Sequence, residues 1–168
     1  NINNNLAKKY NEEIKESFEQ PAKFILTTQS RNISYSVSYI ADVQENVLSL
    51  AILSTFKEGN SAQRTLLKTY NYDLRENKLV TLLDYMEKNS INKSAVQNQI
   101  INYIREKSGT VDTALAQQYN LYVRDVRSDE YLIENIENYY IGQDGKLYIV
   151  FAYGNNNETE TVDVIIVK

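Results

Sequence analysis

Two short patterns in the chain could do chemistry. Ser90-Ile91-Asn92-Lys93 has the Ser-x-x-Lys spacing of an activated serine, and Lys107-Ser108-Gly109 is like the Lys-Thr-Gly element that completes such a site in penicillin-recognising enzymes. Those enzymes hold the two elements far apart in sequence, one on a helix and one on a strand. Here they bracket one predicted helix at its opposite ends, so they are chance matches. Paired carboxylates could serve a glycosidase or a metal site. The densest groups are Asp125/Asp129/Glu130 and Glu134/Glu137, yet neither has calcium-loop spacing. With 22 acidic residues in the chain, such groups read as a solvated surface. Asp144-Gly145 lacks the rest of a calcium loop and reads as a turn.

The chain of 168 residues contains no Cys and no His. That removes Cys–His nucleophiles, Ser–His–acid triads, zinc sites built on either residue, and haem ligation by either. No cofactor is expected. The net charge is −4 with both signs interspersed, and no basic cluster is present to meet phosphate, so no nucleic-acid partner is expected. Tyr supplies 14 of the 18 aromatic residues. Its ring packs while its hydroxyl stays wet, which suits half-buried sheets and binding surfaces. Tyr139, Tyr140, Tyr148 and Tyr153 fall on neighbouring predicted strands, and alternation should turn some of them outward as a partner-binding surface.

The elements that would position these residues can be read from periodicity. Ile2, Leu6, Tyr10, Ile14 and Phe18 predict an amphipathic helix over residues 2–20, ended by Pro21. Residues 31–40 alternate Ile33, Tyr35, Val37 and Tyr39 with Ser34, Ser36 and Ser38, the pattern of an antiparallel strand with one wet face. A polar link over 42–46 leads to a more apolar strand at 47–56, a turn at 57–61 and a third strand at 66–74. Asn77 is placed for a left-handed turn. Leu79 to Met86 should then dock on the sheet. Ser94 with Gln97 reads as a capping box opening a helix over 94–107, with Gly109 as terminator. A short helix over 111–119 follows, then a strand or extended link over 121–126. Residues 138–141 and 146–153 form a hairpin about Asp144-Gly145, and a last strand covers 161–167. The fold class is α+β: an antiparallel or mixed sheet with an N-terminal amphipathic helix and a second long helix packed on it. One domain is expected over 1–168, with sub-regions of about 1–88 and 89–168.

The run Tyr72-Asp73-Leu74, then Lys78, Val80-Thr81-Leu82 and Asp84 carries a family likeness. It resembles the ectodomain family of RsiV-type anti-sigma factors, a domain of unknown function also attached to PdaC-type polysaccharide deacetylases. Asn77 stands where the family has Gly, and Met86 where it has Phe. The Ile2-Asn3 start, the Ser-Tyr strand, the Leu-Ser-Leu strand, the long helix and the Asp-Gly hairpin follow the family's order. The chain departs from it at Gly59-Asn60-Ser61-Ala62, which carries no His, and at Ala152-Tyr153-Gly154 before the last strand.

The resemblance implies a non-catalytic, extracytoplasmic binding or sensing module of a Gram-positive cell envelope. Its implied partner is a lysozyme-like protein or a peptidoglycan fragment, since RsiV-type ectodomains bind lysozyme. Two other readings stand beside it: an enzyme or accessory domain acting on cell-wall sugar through carboxylates, and a structural spacer of a lipoprotein. No run is apolar enough to span a membrane. A chain opening on Asn1 is expected to come from a longer precursor, with any membrane anchor outside these residues.

Overall fold

A computed structural model describes residues 5–28, 32–109 and 112–167. The expected α+β class is observed, built on two separate antiparallel sheets rather than one. The first sheet has strand order β1-β2-β3-β4, with β1 at Ile33–Gln44, β2 at Val47–Glu58, β3 at Arg64–Asp73 and β4 at Lys78–Leu79. The second has order β5-β6-β7, with β5 at Tyr139–Ile141, β6 at Leu147–Ala152 and β7 at Val162–Ile166.

The N-terminal helix does not end at Pro21. Helix α1 (Asn5–Ile14) passes through a π-helical turn (Lys15–Glu19) into α2 (Gln20–Thr27). Pro21 falls in the first turn after that widened segment, where a missing N–H is tolerated. Phe18, Tyr10 and Ile14 pack on Leu50, Ile52, Leu66 and Tyr70, which share one face of the first sheet. The Tyr70 hydroxyl is the buried side-chain polar atom left without a partner among the described residues. Burial, with Glu13 nearby, pushes its pKa up.

Strand β1 runs on through the predicted link to Gln44. Glu45 and Asn46 make a two-residue turn, both at positive φ (48° and 71°), which sets Gln44 opposite Val47. Asn77 takes the left-handed conformation expected of it, at φ 55°. The capping box lies elsewhere than predicted. Thr81 Oγ1 accepts from the Asp84 N–H at 3.1 Å and Asp84 Oδ2 accepts from the Thr81 N–H at 3.1 Å, opening α3 (Leu82–Lys88). That hydrogen bonding holds the Asp84 carboxyl below its usual range. Thr81→Ala is therefore expected to destabilise the fold by about 1 kcal/mol, read as a shift of the urea midpoint at constant slope.

Helix α4 (Lys93–Ser108) is capped by Asn92, whose Oδ1 accepts from the Ala95 N–H at 3.0 Å, not by Ser94. Gln97 instead donates to the Tyr131 carbonyl and accepts from the Ile133 N–H, both at 2.9 Å. It thereby ties α4 to the chain before β5. Val96, Ile100 and Ile104 enter the main core with Ile149, Phe151 and Ile165, so α4 packs with the second sheet. Helix α5 (Thr113–Tyr119) is capped by Asp112, and residues 121–125, without regular structure, lead into a turn at 126–127. After Tyr153 the chain makes a short helical turn, α6 (Gly154–Asn157). Of the predicted helix and strand ends, Ile2, Arg31 and Val111 lie outside the described residues.

The two sheets meet along β3 and β5 through side chains rather than a ladder. The Ile141 N–H donates to Ser49 Oγ at 2.8 Å, Ser49 Oγ bonds Asn71 Oδ1 at 2.6 Å, and Asn71 Nδ2 donates to the Tyr139 carbonyl at 2.8 Å. This circuit ties β2, β3 and β5. Further along β3, Asn155 pairs with Leu67 like a peptide group, accepting from its N–H at 2.9 Å and donating to its carbonyl at 2.5 Å. Asn138 Oδ1 accepts from the Thr69 N–H at 3.1 Å. The outward edge of β3 is thus sealed where β4 stops.

Candidate functional site

Beyond this seam the facing surfaces of the two sheets diverge and leave a groove. On the first sheet its wall comes from Ser38, Ile40, Ala51, Leu53, Thr65 and Leu67, which alternation places on the face opposite the N-terminal helix. On the second sheet Tyr140, Tyr148, Val150, Val162 and Val164 share the face turned away from α4. The groove has two lobes, of about 400 Å³ and 640 Å³, which share Tyr39, Ile40 and Tyr140. The smaller lobe is mainly apolar, with Gln63 and Glu160 at its rim. The larger is bounded by Tyr148 and the Gly142-Gln143-Asp144 turn.

Tyr140 and Tyr148 face each other across β5 and β6 and stack almost in parallel, at 4.7 Å and 6°. Tyr148 is fixed at its tip by donating to Asp144 Oδ2 at 3.0 Å. Its ring lies over Gly142, where a Cβ would come within 2.6 Å of the ring edge. Glycine is what lets the ring lie down there. Lys146 pairs with Asp144 at 2.9 Å and holds that carboxyl below its usual range. The hydrogen bond to Asp144 pushes the Tyr148 hydroxyl up, and burial pushes Tyr140 up, so both phenols are neutral near pH 7. At the far end Gln44 donates to the Gly142 carbonyl at 3.0 Å, which joins β1 to the hairpin. Tyr39, on β1, borders this lobe, while alternation turns its ring, 74% exposed, to the face that carries the N-terminal helix.

Of the four predicted surface tyrosines, Tyr140 and Tyr148 fall in the groove. Tyr139 and Tyr153 do not, being only 3% and 4% exposed. Tyr139 faces the core and donates to the Val80 carbonyl at 2.6 Å. Tyr153 stacks on Tyr122 at 4.1 Å and donates to Asp163 Oδ2 at 2.9 Å. Periodicity marks Tyr39 and Ile40 only as strand residues. The exposure of Tyr39 depends on where the helix layer ends, and that of Ile40 on how far the second sheet overlaps the first, neither of which periodicity encodes.

The other concentration of charged chemistry is closed. Arg124 reaches Asp163 with two bonds, Nε to Oδ2 at 2.5 Å and Nη2 to Oδ1 at 2.7 Å, and the two side chains are 8% and 3% exposed. Tyr153 shares Asp163 Oδ2, and its hydroxyl meets that of Tyr131 at 2.9 Å. The hydrogen bond to Asp163 holds the Arg124 guanidinium firmly protonated. Burial pushes the Tyr131 and Tyr153 hydroxyls far up. A smaller polar cavity of about 280 Å³ beside Tyr153 is lined by Glu130, Glu137 and several Asn residues. Asn138 and Asn155 in that lining are already committed to β3.

The predicted carboxylate groups resolve into separate pairs. Asp125 binds Arg127 at 3.1 Å and Glu134 binds Lys93 at 2.5 Å. Both carboxyls are held down by those cations, as are Glu19 by Lys23 and Asp73 by backbone N–H groups. A general acid near neutral pH needs the opposite displacement. No group of three potential metal ligands occurs among the described residues. No described helix is long and apolar enough to cross a membrane.

No protein-family profile matches the chain, and no curated protein does. Among solved structures it is similar to the crystal structure of a DUF3298 family member from Bacteroides fragilis, at 12% identity and a TM-score of 0.46. The alignment covers 95% of this chain and 60% of that one, so the chain spans about 60% of that protein's length.

Proposed function

We propose that this domain is a non-catalytic, extracytoplasmic binding or sensing module of a Gram-positive cell envelope, like the ectodomain of RsiV-type anti-sigma factors. The observation that carries the reading is the groove between the sheets, with the stacked Tyr140–Tyr148 pair on its floor and Ile40 on the facing wall. Apolar concave surfaces with a few placed polar groups are where ligands bind. Tyrosine rings offer a flat apolar face and a polar tip, which suits both sugar rings and protein side chains. Both expected partners, a lysozyme-like protein and a peptidoglycan fragment, present such groups. The family likeness in residues 72–86 supplies the cellular setting.

Calorimetric titration with lysozyme and with soluble muropeptides tests the proposal. One of the two is expected to bind. Tyr148→Ala is expected to weaken that binding at least tenfold, about 1.4 kcal/mol, with an unchanged circular dichroism spectrum. Absence of binding to both, or full binding by the variant, overturns the reading. Protease accessibility of the protein on intact cells tests its location.

A further inference from the structure

The edges of the two sheets are treated unequally. Asn155, Asn138 and the Thr159 carbonyl satisfy the outward groups of β3 at Leu67, Thr69 and Thr65. Thr69, Ser49 and Asn71 do the same for β5. Gln99 of α4 donates to the Ile166 carbonyl on β7 at 2.6 Å. Strand β1 is different. It is 12 residues long, pairs with β2 in unbroken register from Ile33↔Glu58 to Gln44↔Val47, and contains no proline, lysine or bulge. Among the described residues no side chain caps its outer edge. Those are the devices that ordinarily keep an edge from pairing with another chain.

The register fixes which groups that edge presents. The two-residue turn makes Gln44↔Val47 a hydrogen-bonded pair, so alternate pairs back along the hairpin are hydrogen-bonded too. The N–H and C=O groups of Ile33, Tyr35, Val37, Tyr39, Ala41 and Val43 therefore point outward. On β3 the same alternation puts Thr65, Leu67 and Thr69 outward, where their caps are found.

We infer that the outer edge of β1 pairs antiparallel with β1 of a second copy of this chain, about a two-fold axis at Ser38. The strand is complementary to itself in that register. Val37 meets Tyr39, Tyr35 meets Ala41 and Ile33 meets Val43, each as a hydrogen-bonded pair of outward-facing residues. Val37 and Tyr39 are 46% and 74% exposed and form an aromatic–β-branched pair on each side of the axis. Asp42 is the only charged residue in the strand, and it falls opposite Ser34 rather than its own copy. A charged peptide would find no counter-charge along most of this edge, whereas a second copy needs none. The seam engages one strand a side, fewer than the roughly 20–30 residues of a standard interface, so it forms a weak, reversible dimer.

Sedimentation velocity over a concentration series, with hydrogen exchange on the same samples, tests it. The expected result is a reversible species of twice the 19.4 kDa chain mass. Protection of residues 33–44 should rise with its population. Ser38→Lys sets like charges opposite each other at the axis and is expected to weaken association at least tenfold (about 1.4 kcal/mol). Ser38→Thr should retain the dimer, and both variants should melt as the unsubstituted protein does. A monomer at every concentration up to millimolar overturns the inference. So does a dimer unaffected by a folded Ser38→Lys. Protection of residues 33–44 already complete in the monomer also overturns it, because a segment of the same chain then holds the edge. Should Ser38→Lys misfold, the exchange series on the unsubstituted protein decides alone.

Discussion

Arg124→Met is expected to destabilise the fold by about 3–5 kcal/mol, the range for removing one partner of a buried ion pair. The substitution keeps a long apolar stem but leaves Asp163, 3% exposed, with the Tyr153 hydroxyl as its remaining side-chain partner. A buried carboxylate so stranded must carry its desolvation cost or take up a proton. The effect should spread to Tyr153 and Tyr131, whose hydroxyls are chained to the same oxygen, and so to the stacked Tyr122. Arg124→Lys should recover only part of the loss, because a point charge cannot reproduce the two bonds at 2.5 and 2.7 Å. The double variant Arg124→Met/Asp163→Leu removes both charges and should be more stable than Arg124→Met alone. Urea unfolding of the three variants, followed by circular dichroism, separates these outcomes. A loss below about 1 kcal/mol for Arg124→Met would place the pair among exposed ones in energetic terms.

Gly154→Ala should be nearly as damaging, by about 2–3 kcal/mol of overpacking and strain. A Cβ at this position would stand 1.7 Å from the Thr65 carbonyl oxygen and 2.5 Å from that of Thr159. Both obstacles are backbone, so no rotamer relieves them. The helical turn α6 must lift from β3, and Asn155 must release Leu67. In hydrogen exchange, the Leu67 amide should lose protection first. Asn155→Ala removes the same two bonds without the collision and is expected to be milder, about 1–2 kcal/mol. An Ala variant at Gly154 as stable as the parent would mean that α6 is free to move.

Much of this architecture is legible in the sequence where a single local rule decides it. The Ser/Tyr alternation after Asn32, the Asp144-Gly145 hairpin and the left-handed Asn77 each follow from period or backbone preference, and all appear in the fold. What fails is where two local rules compete. Pro21 signals an end, yet a π-helical turn before it removes the bond its nitrogen would have made. Ser94 and Asn92 are both acceptable caps, and Asn92 wins because Gln97 is drawn to Tyr131 and Ile133. Glu45 takes positive φ because its neighbour Asn46 and the register of two long strands impose a tight turn.

The candidate site was half legible for a related reason. Alternation separates Tyr140 and Tyr148 from Tyr139 on opposite faces of the hairpin, but it does not say which face is covered. That depends on where α4 docks, and on Val80, whose carbonyl holds the Tyr139 hydroxyl. Tyr153 follows the strand and is claimed by Asp163, ten residues further on. The division into two sheets has no signal in periodicity, since it arises from asparagine side chains standing in for a strand along β3.

That substitution of side chains for a ladder has a mechanical consequence. Within each sheet, load along the chain is shared by many parallel backbone bonds. Between the sheets it is carried by separate contacts, at Ser49–Asn71–Tyr139, Asn138, Asn155, Thr65–Thr159 and Gln44–Gly142. The join is therefore the compliant line of the molecule. A pull that separates the sheets will open the angle between them, and with it the width of the tyrosine groove, before either sheet unravels.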